Sequence, residues 1–124
     1  MRSLHGIGVD LLSRARVLRL IGRSPKRISE RLLSQTEQKV WRKRRFAPVL
    51  LARYLTAKEA FFKALGGPWL GPDGFRDFEV HCLARGKFSV KSLRGISHEA
   101  YAVDGCFFQC DQWVGAQVTL WDQG

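Results

Sequence analysis

Apolar residues recur at helical spacing through the first half of the chain, after an opening strand, and alternate in strand-like fashion through the second half. Residues 3–12, Ser-Leu-His-Gly-Ile-Gly-Val-Asp-Leu-Leu, predict a strand with two internal glycines. Glycine inside a strand marks a place where another backbone approaches closely. Ser13 is placed to cap a helix over 14–23, with Val17, Leu20 and Ile21 on its apolar side. Ser24-Pro25 puts a capping serine before a proline at the first helical position, so a second short helix runs to about Leu33. Ser34-Gln-Thr-Glu37 has the form of a capping box and opens a helix through Trp41 into the basic run Arg42–Arg45. The strongest pattern follows Pro48. Leu51, Tyr54, Leu55, Phe61, Phe62 and Leu65 recur at spacings of three and four, and Gly66-Gly67-Pro68 ends the helix. Residues 66–74 hold four glycines and two prolines and form a loop. Beyond it, Phe75–Ala84 alternates, Arg85-Gly86 turns, and Lys87–Leu93 returns as a hairpin. Gly95–Asp104 is expected as a short helix, and Cys106–Gln109 and Trp113–Trp121 as closing strands around Cys110-Asp111-Gln112. The order predicts an α+β fold in which an antiparallel sheet packs on one long helix.

The chain has 124 residues and is 45% hydrophobic, which suits a single domain over 1–124 with one core. No apolar run approaches the ~20 residues of a membrane helix. Arg2, His5 and Asp10 interrupt any signal-peptide core, so a cytoplasmic protein is expected. Three cysteines without repeated spacing argue against a disulfide framework. Cys106, Cys110 and His98 match no standard zinc finger, and the cysteines are expected in the core. Charge changes the picture most. The net charge is +10, and 12 of the 21 basic residues lie between Arg14 and Arg45 with only two acids, Glu30 and Glu37. The remainder is neutral. A field this one-sided steers an acidic partner: nucleic acid, an anionic surface, an acidic protein or a small polyphosphate.

Two carboxylates stand apart. Asp10 ends the glycine-rich strand amid Val9, Leu11 and Leu12, where a carboxylate must be paired or hold a metal. Glu59 lies in Lys58-Glu59-Ala60-Phe61-Phe62-Lys63, four residues before Lys63 and therefore on the same helix face. On spacing alone an ordinary intrahelical ion pair is the better account, and the apolar flanks of the segment weigh somewhat against it. Alternatively, one Asp and one Glu from separate elements suit a hard divalent cation such as Mg²⁺, with Lys58 and Lys63 beside it to neutralise phosphates.

Gly6-Ile7-Gly8-Val9-Asp10, followed by Lys58-Glu59-Ala60-x-x-Lys63-Ala64-Leu65-Gly66, resembles the holo-acyl-carrier-protein synthases, the short single-domain 4′-phosphopantetheinyl transferases. Lys26–Ser34, Glu37, Trp41 and the ending Gly115–Leu120 add to the likeness. The resemblance implies transfer of phosphopantetheine from coenzyme A to a serine of an apo acyl carrier protein, with adenosine 3′,5′-bisphosphate released. It implies a homotrimer with active sites between protomers. By resemblance, Asp10 and Glu59 bind Mg²⁺, and Glu59, directly or through a water, deprotonates the serine. Lys63 stabilises or protonates the leaving phosphate. Lys58, Lys63, Arg53, Gly66 and Gly67 contact coenzyme A, and Arg16, Leu20, Arg23, Arg27 and Ile28 dock the acidic carrier protein. The chain departs from the family at Tyr54-Leu55, at Gly67-Pro68-Trp69 and at Gln109-Cys110-Asp111, where relatives often carry Arg-Phe, Thr-Gly-Ile and a histidine.

Two rival readings stand beside this one. A nucleic-acid-binding module would use Trp41 and Arg42–Phe46, but no known motif appears and Asp10 and Glu59 go unexplained. A catalytically degenerate homologue acting as a partner subunit is opposed by the intact carboxylate–lysine set.

Overall fold

The structure, a computed structural model, describes residues 2–66, 74–93 and 101–123. Five strands form one sheet in the order β1-β5-β4-β3-β2, with every neighbouring pair antiparallel. β1 is Ser3–Ser13, β2 Phe78–Cys82, β3 Lys87–Ser92, β4 Tyr101–Cys110 and β5 Trp113–Asp122. Between β1 and β2 come α1 (Arg14–Arg23), α2 (Pro25–Leu32), α3 (Gln35–Lys43), α4 (Pro48–Leu65) and the single turn α5 (Gly74–Asp77).

The helix boundaries follow the capping chemistry. The Ser13, Ser24 and Ser34 hydroxyls accept from the amides of Arg16, Arg27 and Glu37, which satisfies first-turn N–H groups. Glu37 completes the capping box by accepting the Ser34 N–H at 2.9 Å. Gly66, at φ +92°, ends α4 in the left-handed conformation that glycine adopts most easily. Arg45 and Phe46 make the α3–α4 turn, both at positive φ, with Phe46 edge-on to Trp41 at 4.9 Å.

Most of α4 is buried. Leu51, Tyr54, Leu55, Phe61 and Phe62 pack with Val114, Ala116, Val118 and Leu120 of β5 and with Phe78, Val80, Phe88 and Val90 of β2 and β3. Gly6 and Gly8 turn toward α4, where a Cβ on either would fall well inside contact distance of the Ala64 and Ala60 carbonyl oxygens. The strand backbone therefore rests on the helix backbone, as the glycine pair predicts.

Three expectations need correction. Residues 75–77 belong to the turn α5, so β2 starts at Phe78 instead of Phe75. Residues 101–104 are strand, because Tyr101–Asp104 pair with Thr119–Asp122 across β4 and β5; the rest of the expected 95–104 helix lies outside the described residues. The cysteines do not sit in the core: Cys82 and Cys110 are exposed and Cys106 is half-buried, all three as free thiols.

Because backbone faces backbone at Gly8, the Gly8→Ala substitution is expected to push α4 off β1. A loss of about 1–3 kcal/mol in urea unfolding is the usual scale for overpacking, and an unchanged midpoint would show that this contact is loose.

Candidate active site

Strand alternation sends Gly6, Gly8 and Asp10 to one face of β1, the face covered by α4. The glycines close the gap, and Asp10 then meets the outer side of α4. Its carboxylate accepts a hydrogen bond from the Lys63 ammonium at 3.0 Å, and Lys63 also donates to the Val9 carbonyl at 3.1 Å. Lys63 therefore reaches across to β1. Glu59 lies one turn before Lys63 on α4 and is half-buried. Burial raises its pKa, the Asp10 charge raises it further, and the Lys63 charge opposes both. The effect of the Asp10 charge on Glu59 reflects the closeness of the two carboxylates. Two hard oxygen donors from separate elements, with a half-exposed cation beside them, suit a divalent metal and a phosphate.

The companion lysine is elsewhere. Lys58, expected at coenzyme A phosphates, is 0% exposed and forms an ion pair with Glu37 at 2.6 Å. Its other two ammonium protons go to the carbonyls of Leu32, at 2.9 Å, and Phe75, at 2.6 Å. With all three donors used inside the protein, it has none for a phosphate. Burial lowers the Lys58 pKa and raises that of Glu37, each opposed by the charge of the other. Glu37 also accepts the Val80 N–H at 2.7 Å. The sequence marked Glu37 as a capping residue; its second task, as counter-ion to a residue 21 positions away, had no local signal.

Arg53 sits over the Phe107 ring, 5.3 Å from its centre, and lines a cavity of about 580 Å³ with Arg44, Tyr54, His81 and Cys82. Burial is the main cause raising the Tyr54 hydroxyl pKa above its ordinary value. Gly66 ends α4 a few residues after Lys63, while Gly67 and Trp69 lie outside the described residues. On the docking side, Arg16, Arg23 and Arg27 are exposed. Leu20 and Ile28 are half-buried and pack against the core, and the large apolar side chain that α1 presents to solvent is Leu18.

The model of the 4′-phosphopantetheinyl transferase superfamily matches residues 6–117. The chain belongs to that superfamily, and it is a transferase. It is 34% identical to the holo-[acyl-carrier-protein] synthase of Halorhodospira halophila over 100 residues, 81% of this chain and 79% of that one. A synthase of Azoarcus sp. is 43% identical over 63 residues, an alignment that spans about half of each protein. Among solved structures, the holo-[acyl-carrier-protein] synthase of Neisseria meningitidis superposes with a TM-score of 0.80 at 27% identity, covering 95% of this chain and 98% of that one. The synthase of Bacillus anthracis, solved in complex with CoA (3′,5′-ADP), superposes with a TM-score of 0.77 at 26% identity over 99% of this chain and all of that one.

In the absence of divalent cation, the Glu59 carboxyl is expected to titrate above the ordinary carboxylate range. Burial and the Asp10 charge both disfavour its ionised form, so it holds its proton to higher pH. Asp10→Asn removes one of those two causes and should move the midpoint down. Carbon-13 NMR of the glutamate carboxyls reads this directly, and a midpoint that stays put would mean that the two carboxylates do not interact.

Proposed function

We propose that the protein transfers the 4′-phosphopantetheine group of coenzyme A to a serine hydroxyl of an apo acyl carrier protein, releasing adenosine 3′,5′-bisphosphate. The observation that carries this reading is the meeting of Asp10, Glu59 and Lys63 across the β1–α4 contact, in a chain of this superfamily. Asp10 and Glu59 would hold Mg²⁺, and the ion when bound would offset the charge of the pyrophosphate. The Glu59 carboxylate, its pKa raised by burial and by the Asp10 charge, suits acceptance of the serine proton. The ammonium of Lys63 donates to oxygens of the departing phosphate, where negative charge grows. Asp10 holds that ammonium in place through its 3.0 Å hydrogen bond.

The basic surface supports an acidic partner. Arg16, Arg23 and Arg27 on α1 and α2 are exposed within the segment that carries the whole positive excess. Electrostatic steering then favours an acidic carrier protein over a neutral one. The outer face of β1 presents Ile7, Val9 and Leu11 to solvent, and Trp113 adds to it at the start of β5. An exposed apolar patch of this kind suits subunit contact and supports the homotrimer. Among the described residues no helix is long and apolar enough to cross a membrane. A cytoplasmic reaction is part of the same proposal.

Intact-protein mass spectrometry of an apo carrier protein, incubated with the enzyme, coenzyme A and Mg²⁺, should show a gain of one phosphopantetheine that EDTA abolishes. Asp10→Ala or Glu59→Ala should remove the gain, and full activity in both would overturn the assignment. Arg16→Glu should raise KM for the carrier protein by about tenfold or more while leaving that for coenzyme A unchanged, since a rim charge acts on the partner it faces. Sedimentation is expected to give three times the 14.1 kDa chain mass.

A further inference from the structure

We infer that Lys58 is a positioning residue for the transfer: its ammonium fixes the end of α2 and the chain at Phe75 to the helix that carries Glu59 and Lys63. The inference rests on the transferase reading above. Lys58 immediately precedes Glu59 but points the opposite way, into the protein, where its side chain is free of solvent. An ammonium has three protons, and each has a different acceptor: the Leu32 carbonyl, Glu37 Oε1 and the Phe75 carbonyl. Leu32 is the last residue of α2, so its carbonyl is one of the helix-end acceptors with no partner inside the helix. A cation at a helix C-terminus is electrostatically favoured as well. Glu37 extends the network: Oε1 also takes the Ser34 N–H and Oε2 takes the Val80 N–H, which ties α3 and β2 to the same point.

Two functional segments end at this ammonium. α2 carries Arg27 and Ile28 of the docking face and is held at Leu32. Phe75 lies in the turn α5 directly before β2, and its carbonyl is held by the same ammonium. Asp10, Glu59 and Lys63 owe their places to the separate contact of β1 with α4. Removal of the ammonium therefore loosens α2, with its docking residues, and the turn at Phe75, and leaves Asp10, Glu59 and Lys63 where they are.

The test uses Lys58→Met, which keeps the side-chain length, and the double variant Lys58→Met with Glu37→Gln, which leaves no unpaired buried carboxylate. The double variant should regain much of the thermal stability that the single variant loses. Both should keep KM for carrier protein raised about tenfold, with kcat within about threefold of wild type, the pattern of lost uniform binding. Hydrogen exchange should be faster in peptides over 29–34 and 74–80 and unchanged over β1 and β5. A double variant that regains both stability and wild-type KM would reduce Lys58 to a structural residue and overturn the inference. A fall in kcat at wild-type KM would overturn it as well, because that marks a reacting group. If the wild-type enzyme modifies no carrier protein, the transferase reading fails, while the exchange data still decide whether Lys58 positions the two segments.

Discussion

Gly6 and Gly8 allow the backbone of β1 to lie on Ala60 and Ala64 of α4, and the chemistry of the chain follows from that approach. A side chain at either glycine would hold strand and helix apart. Asp10, two residues further along the same strand face, would then be carried away from Lys63 and Glu59. The contact also sets what α4 must be. A helix that receives a strand backbone on one side and core aromatics on the others has room for alanine at the strand and for Phe61 and Phe62 at the core. Glu59 and Lys63 occupy the side that remains near solvent.

The two lysines of α4 illustrate how burial decides the work of a charge. Lys63 is half-exposed and hydrogen-bonded to a partly exposed aspartate. Such a pair contributes about 0–1 kcal/mol, so it adds little to the stability of the fold. Lys58 and Glu37 are enclosed, with every donor and acceptor occupied by protein. Breaking a buried pair of that kind costs about 3–5 kcal/mol, and it holds four chain segments at one point. Five positions apart on one helix, the two lysines thus differ in surroundings: one is enclosed by protein and the other reaches solvent.

The surface divides by the same logic. The positive excess between Arg14 and Arg45 stays in water on α1, α2 and α3, where a long-range field has its effect. The outer face of β1 is apolar instead, with Ile7, Val9 and Leu11 in water. One face of β1 is therefore given to α4 and to Asp10, and the other is left apolar in water.

The amino-acid sequence alone determined what depends on neighbours in the chain. Capping serines, the proline starts, Gly66 and the spacing of Leu51 to Leu65 set the helices to within a residue or two, because those interactions span at most four positions. The pairing of Gly6-x-Gly8-x-Asp10 with Lys58–Lys63 pointed to a candidate site through its resemblance to a family, while strand alternation and helix spacing account for the faces on which Asp10, Glu59 and Lys63 lie. The β2 start, the strand at 101–104 and the exposed cysteines escaped it, since pairing across strands and burial depend on partners far along the chain. The tertiary structure alone decided the fates of Lys58 and Lys63. Both lie in one motif and carry the same charge. Only the packing of α2, α3 and Phe75 around one side of α4, and of β1 against another, made the first a buried anchor and left the second at the site.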